Sequence, residues 1–310
     1  MSLAFVFPGQ GSQSVGMLAD LATAWPQVQD TFAEASSVLG YDLWALVQNG
    51  PVDELNQTHI TQPAMLTAGV AIWRVWQANN GPRPVLMAGH SLGEYTALTC
   101  AGAINFADAV ALVAERGRYM QEAVPEGVGA MAAILGLDDA QVIEACAGAA
   151  QAEVVAAVNF NSPGQVVIAG HKAAVERAME AAKALGAKRA LPLPVSVPSH
   201  CALMQPAAER LAERLAQIEI KRPDTPVIHN ADVAAAGDLP ALREALARQL
   251  YRPVRWVETV QKMTADGVDT IVECGPGKVL MGLNKRINKA LHNLTIADAA
   301  TLNSTLAELN

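Results

Sequence analysis

The chain has 310 residues, 51% of them hydrophobic and 17% charged, and its 22 Lys and Arg against 30 Asp and Glu leave a formal net charge of −8. High apolar content with so little charge excludes a disordered chain. The acidic balance argues against a general nucleic-acid binder, which needs a basic surface to neutralise phosphates. The length suits two folding units, or one large α/β domain carrying an insertion.

The opening run Met1-Ser2-Leu3-Ala4-Phe5-Val6-Phe7 lacks a basic flank and stops at Pro8, short of a signal peptide or a membrane span. No later segment reaches about 18 uninterrupted apolar residues. An unexported cytoplasmic protein without membrane attachment is expected. Cys100, Cys146, Cys201 and Cys274 lie far apart with no C-x-x-C pair, so neither a zinc site nor a disulfide framework is signalled.

In chain order, Leu3–Phe7 reads as a buried strand entering a turn at Pro8-Gly9, and a helical stretch follows. Residues 66–77 (LTAGVAIWRVWQ) read as a buried helix and 84–88 (PVLMA) as a second buried strand. Helical patterns resume at Leu92 and over 106–120. This alternation is the signature of a parallel sheet covered by helices. Between about 124 and 195 the rhythm changes: strand 129–135, helix 138–150, strands 154–160 and 165–169 joined by Asn161-Ser162-Pro163-Gly164, helix 172–185, and an extended 189–195. That β-α-β-β-α-β order is the ferredoxin-like unit. Helix 202–217, strand 226–229, helices 239–249 and 256–265, and strand 270–273 then resume the α/β alternation.

Gly89-His90-Ser91-Leu92-Gly93 sits where strand 84–88 hands over to a helix, and it fits the G-x-S-x-G nucleophile elbow. With 23 glycines and ten serines the string alone would arise by chance in roughly one chain in twenty. The strand before it and the helix after it make Ser91 the candidate nucleophile, with the N–H of Leu92 aimed at a developing oxyanion. The fold expected is therefore an α/β-hydrolase-like core with a mainly parallel sheet, residues 1–123 and 196–310, carrying a ferredoxin-like insert, residues 124–195.

A serine hydroxyl needs a base. Of six histidines, His90 reads as a packing residue, while His59, His171 and His292 lie in polar, helix-flanking contexts and read as exposed. His229 ends a strand and stands in reserve. His200 is favoured, because the proline-rich 192–199 holds the chain stiff before it. No acidic residue presents itself as a third member, so a backbone carbonyl is the alternative orienter. The turn Phe7–Gln13 qualifies as the source of a second oxyanion donor. Read as a dinucleotide fingerprint it fails, because Ser14 takes the place of the third glycine. Gly275-Pro276-Gly277-Lys278 likewise lacks both ends of a phosphate loop.

At these residues the chain resembles the malonyl-CoA:acyl-carrier-protein transacylases of type II fatty acid synthesis and, more distantly, the acyltransferase domains of polyketide synthases. The likeness spans nearly the whole chain and rests on 7–13 (FPGQGSQ), 89–95 (GHSLGEY), Glu115-Arg116-Gly117, 159–165 (NFNSPGQ), 197–200 (VPSH) and 273–277 (ECGPG). It implies ping-pong transfer of malonyl from malonyl-CoA, through malonyl-Ser91 with His200 as base, to the phosphopantetheine thiol of acyl carrier protein. The oxyanion donors would be the N–H groups of Gln10 and Leu92, and the carbonyl of Gln249 would orient His200. Arg116 would receive the malonyl carboxylate, with Gln62 and Asn159 lining the site; read without the resemblance, Arg116 is a solvated charge on an amphipathic helix. Neither a cofactor nor a metal is expected, and the chain is expected to be a monomer. An acidic carrier needs a basic landing place, for which Lys188-Arg189 and Lys285-Arg286 are the candidates. The rival reading is a serine thioesterase or hydrolase with the same elbow.

Overall fold

Leu3–Phe7 forms β1, and all of its residues are buried, as an unbroken apolar run requires when both faces of a sheet are covered. The computed structural model describes residues 2–195 and 197–310. After β1 come α1 (Ala19–Ala24), α2 (Gln27–Leu39), α3 (Leu43–Asn49), α4 (Val52–Leu55) and the long α5 (Thr58–Ala78). β2 (Leu86–Gly89) runs into α6 (Leu92–Cys100) and α7 (Phe106–Ala123). The next group is β3 (Gly129–Leu135), α8 (Asp139–Ala150), β4 (Val155–Ser162), β5 (Gln165–His171), α9 (Lys172–Ala184) and β6 (Arg189–Pro192). Then follow α10 (Gln205–Gln217), β7 (Val227–Ile228), α11 (Leu239–Arg248), α12 (Trp256–Ala265), β8 (Thr270–Cys274), α13 (Val279–Ile287), β9 (His292–Ile296) and α14 (Ala299–Leu309).

The architecture is α/β-hydrolase-like with a ferredoxin-like addition. Five strands pair in parallel in the order β7-β2-β1-β8-β9. A separate antiparallel sheet has the order β4-β5-β3-β6, that of a βαββαβ unit, and buries its own apolar cluster with α8 and α9. Register decides where chemistry can sit. Phe7 lies opposite Gly89, so the loop after β1 and the turn after β2 leave the carboxyl edge of the sheet side by side, where ligands bind in open α/β sheets. The N–H of His90 donates to the carbonyl of Phe7 at 2.9 Å and locks the two together.

β4 carries contacts from the second sheet to segments that flank the first. Its pairing with β5 slips between Ala157 and Asn159 and again between Phe160 and Ser162, and such bulges re-aim side chains. Asn159 bridges to Val254, and Asn161 Oδ1 meets His90 Nε2 at 2.8 Å.

Several boundaries depart from the sequence reading. The buried helix begins at Thr58, not Leu66, and carries Pro63 in its second turn; burial of nearly its whole length outweighs the cost of a proline inside it. Pro84 cannot donate to a ladder, so β2 starts at Leu86. Asn161 and Ser162 belong to β4, leaving Pro163-Gly164 as a two-residue turn with φ 73° at Gly164. The segment expected to stay extended to Val195 leaves the sheet after Pro192, and Ser196 lies outside the described residues. Among the described residues no helix is long and apolar enough to cross a membrane.

Candidate active site

Ser91 caps α6 with φ 51° and ψ −106°, a left-handed conformation that L-residues adopt only when surroundings enforce it. The glycines make the enforcement possible. A Cβ on Gly89 would lie 1.8 Å from the carbonyl carbon of Gly93, and one on Gly93 would lie 2.0 Å from the carbonyl oxygen of Phe7. Both obstacles are backbone and cannot step aside. Side chains then grip the two flanks of the serine: its N–H donates to Asn230 Oδ1 at 2.7 Å, and its carbonyl accepts from Gln249 Nε2 at 2.9 Å.

His200 Nε2 stands 2.8 Å from Ser91 Oγ, and its Nδ1 stands 2.8 Å from the carbonyl of Gln249. That carbonyl follows the last residue of α11, where helix carbonyls lose their intrahelical partners. A carbonyl can only accept, so Nδ1 carries the proton and Nε2 is left to accept from the serine hydroxyl. Burial, reinforced by the nearby Arg116 charge, lowers the His200 pKa to about 3. The resting imidazole is therefore neutral, with Nε2 unprotonated and facing the serine hydroxyl.

Arg116 is only 1% exposed. It projects from α7 next to Gly117, at a point where a Cβ would come within 2.6 Å of His59 Cα on α5. That missing side chain lets the helices close, and Arg116 Nη1 reaches Gln62 Oε1 on α5 at 2.7 Å. Its Nη2 donates to Gln249 Oε1 at 2.9 Å and contacts Ser91 Oγ at 3.3 Å. Its Nε is buried with no hydrogen-bond partner, and no carboxylate pairs with Arg116 among the described residues. Burying a guanidinium without an anion is costly. Arg118, its neighbour in the motif, is by contrast half exposed beside Glu122.

Ser91, His200, Arg116, Gln62, Asn159, Gln10 and Leu92 line one cavity of about 130 Å³. It shares Gln10, Met131, Leu193, Val195 and Val197 with an outer groove of about 880 Å³ that also takes in Asn56, Gln57, Gln121 and Lys172. The N–H groups of Gln10 and Leu92 have no hydrogen-bond partner among the described residues, and both residues line the same cavity as Ser91. A space of this kind, with a paired serine and imidazole, free amides and a bare guanidinium, suits acyl transfer to or from a small acid.

A family model described as "acyl transferase domain" matches residues 4–305. The chain belongs to the acyl transferase family. It is 63% identical over 305 residues to the malonyl CoA-acyl carrier protein transacylase of Salmonella typhimurium, covering 98% of this chain and 99% of that protein. It superposes with a TM-score of 0.96 on the acyl carrier protein S-malonyltransferase from Vibrio cholerae, at 62% identity and with 98% and 99% of the two chains covered. A malonyl-transacylase solved in complex with a type II PKS acyl-carrier protein gives a TM-score of 0.99 at 61% identity, covering 99% of this chain and 100% of that one.

Not every candidate reaches the cavity of this acyl transferase. Lys188, Arg189, Lys285 and Arg286 are all exposed, and Lys188 and Arg286 border a groove of about 710 Å³ at the Leu135 end of β3, whereas Met131 near the other end of that strand lines the cavity. His59 and His171 are half buried rather than exposed, because their Nδ1 atoms are engaged with Gln121 Oε1 and the N–H of Val154. His229 is no rival base. It is buried with Nδ1 2.7 Å from Glu94 Oε1; burial alone would lower its pKa, but the Glu94 carboxylate outweighs that and raises it. Sequence reasoning missed Asn230 and Glu94. Their only local signals were a polar residue two positions after β7 and an acid in the first turn of α6, and neither says what it faces.

Proposed function

We propose that this chain is an [acyl-carrier-protein] S-malonyltransferase of fatty acid biosynthesis. It would move malonyl from malonyl-CoA to the phosphopantetheine thiol of acyl carrier protein. The observation that carries the reading is Arg116, a buried guanidinium with no acidic partner among the described residues, 3.3 Å from the serine oxygen. Two parallel charge-assisted hydrogen bonds to a carboxylate answer its need for an anion. Acetyl offers no such group. The named relatives, transacylases that act with malonyl-CoA and carrier protein, support the same substrate pair.

In the first half-reaction His200 Nε2 takes the Ser91 hydroxyl proton as Oγ bonds to the thioester carbon. The carbonyl oxygen gains negative charge facing the N–H groups of Gln10 and Leu92. Collapse breaks the C–S bond, and the proton held on Nε2 passes to the departing coenzyme A sulfur. The second half runs in reverse: the carrier thiol gives its proton to Nε2, its sulfur attacks the malonyl-serine, and the proton returns to Oγ. Gln249 would hold the imidazole through both halves, while Gln62 and Asn159 flank the acyl group.

Against a chain of net charge −8, an acidic carrier would find Lys188, Arg189, Lys285 and Arg286 as a landing place. Met131 and Leu135 are about 13 Å apart along β3 at ~3.3 Å per residue, a span that a phosphopantetheine arm can bridge. The reaction would take place in the cytoplasm, where the four unpaired cysteines stay reduced.

Incubation with malonyl-CoA and no acceptor tests the reading. One equivalent of coenzyme A released with a lasting adduct supports transfer; continuous release supports the thioesterase reading instead.

A further inference from the structure

Behind the serine lies a carboxylate that the proposed chemistry does not use. Glu94, in the first turn of α6, is fully buried. Its oxygens accept from three donors: His229 Nδ1 at 2.7 Å, the N–H of Asn230 at 2.9 Å and Gln249 Nε2 at 2.9 Å. An acid three residues after a helix cap ordinarily reaches back to the cap's own N–H. Here Asn230 is interposed. Its side-chain oxygen takes the N–H of Ser91, its amide nitrogen donates to the carbonyl of Gly89 at 2.6 Å, and its backbone N–H goes to Glu94. Gln249 serves the other flank of the serine, donating from Nε2 to both the Ser91 carbonyl and Glu94.

The two residues that grip the strained serine thus answer to one carboxylate. An ionised carboxylate only accepts, so it demands that Gln249 turn its NH₂ inward and its oxygen outward. The outward oxygen is the one that Arg116 Nη2 binds. We infer that Glu94 is a positioning residue which sets both the aim of Ser91 and the pose of Arg116, and so contributes to preference for a carboxylated acyl group as well as to rate. The inference rests on the malonyl-transfer reading above.

Glu94→Gln keeps size and removes the acceptor-only character; its NH₂ would oppose one of the three donors. Single-turnover acylation by malonyl-CoA and acetyl-CoA, scored per folded molecule by near-ultraviolet circular dichroism, gives the readout. The expected result is a fall of about 100-fold in malonyl-Ser91 formation, the scale of an ångström-sized misplacement, with the malonyl-to-acetyl rate ratio falling about tenfold through the loosened Arg116 contact. Glu94→Asp, which keeps the charge and withdraws the oxygens by one methylene, should fall between Glu94→Gln and the unaltered chain, and it carries the same readout if Glu94→Gln does not fold. An unchanged rate, or an equal loss for both acyl groups, overturns the inference. Failure of the unaltered chain to form any malonyl-serine would instead sink the malonyl-transfer reading itself.

Discussion

Replacing Arg116 by Ala is the perturbation whose size can be worked furthest from the structure. The guanidinium would meet the malonyl carboxylate with two charge-assisted hydrogen bonds, each contributing about 1.5–3 kcal/mol. Their sum is reduced because the unaltered chain already bears the cost of burying that charge without an anion, which the variant relieves. We therefore expect a loss near the lower end of two bonds, about 3 kcal/mol, or roughly two orders of magnitude in kcat/KM for malonyl-CoA. Acetyl-CoA should keep its rate, since it has nothing to lose at that position. The same substitution removes the second cause of the depressed His200 pKa, so the acid limb of the pH profile should move upward from about 3 toward 6.5. Stopped-flow acylation with both thioesters at several pH values reads the two effects together. Equal losses for malonyl and acetyl would refute the assignment of Arg116 as the carboxylate's receiver, and an unshifted acid limb would show that its charge does not reach His200. Arg116→Lys should recover little, because a point charge cannot reproduce the planar pair of bonds.

Four further outcomes follow from the same geometry. With the His200 pKa held near 3 by burial and then by Arg116, the acylation rate of the free enzyme should be flat between about pH 5 and 7; a limb centred near 6.5 would contradict this. The same shift makes the unfolded chain bind more protons than the folded one between about 3 and 6.5, so thermal stability should rise with pH across that window and be lost as pH falls through it; calorimetry checks the sign. Gly93→Ala would drive a Cβ to 2.0 Å from the Phe7 carbonyl oxygen, and it should abolish acylation or folding; near-normal activity would show that the elbow can relax. Reversing Lys188 and Arg286 to Glu should slow delivery to the carrier while leaving self-acylation intact, with the deficit shrinking at high salt; unaltered carrier kinetics would dismiss these residues from docking.

How far the site could be read from the chain depended on what each residue must do locally. The elbow was legible because steric crowding permits nothing but glycine at 89 and 93, and a local requirement leaves a local mark. His200 was favoured on similar grounds, by the prolines that stiffen its approach. Arg116 was not legible that way. On α7 it has the spacing of a solvated charge, and its burial arises only because Gly117 lets α5 close over it; the family likeness supplied its role. Asn230 and Glu94 stayed hidden for the same reason, since they act across more than 130 residues of sequence. In the fold, the buried strands declared themselves by apolar runs. β9, an edge strand of mixed polarity (HNLTI), and the polar-faced α14 did not.

The central claim is that Ser91 Oγ carries the malonyl group. Peptide mapping by mass spectrometry after brief exposure to malonyl-CoA, without acceptor, tests it directly. The account expects one malonyl group on the peptide containing Ser91, none on the Ser91→Ala chain, and its disappearance when a phosphopantetheine thiol is added. An adduct that persists in Ser91→Ala, or one that maps to another residue and is still delivered to the thiol, would contradict it.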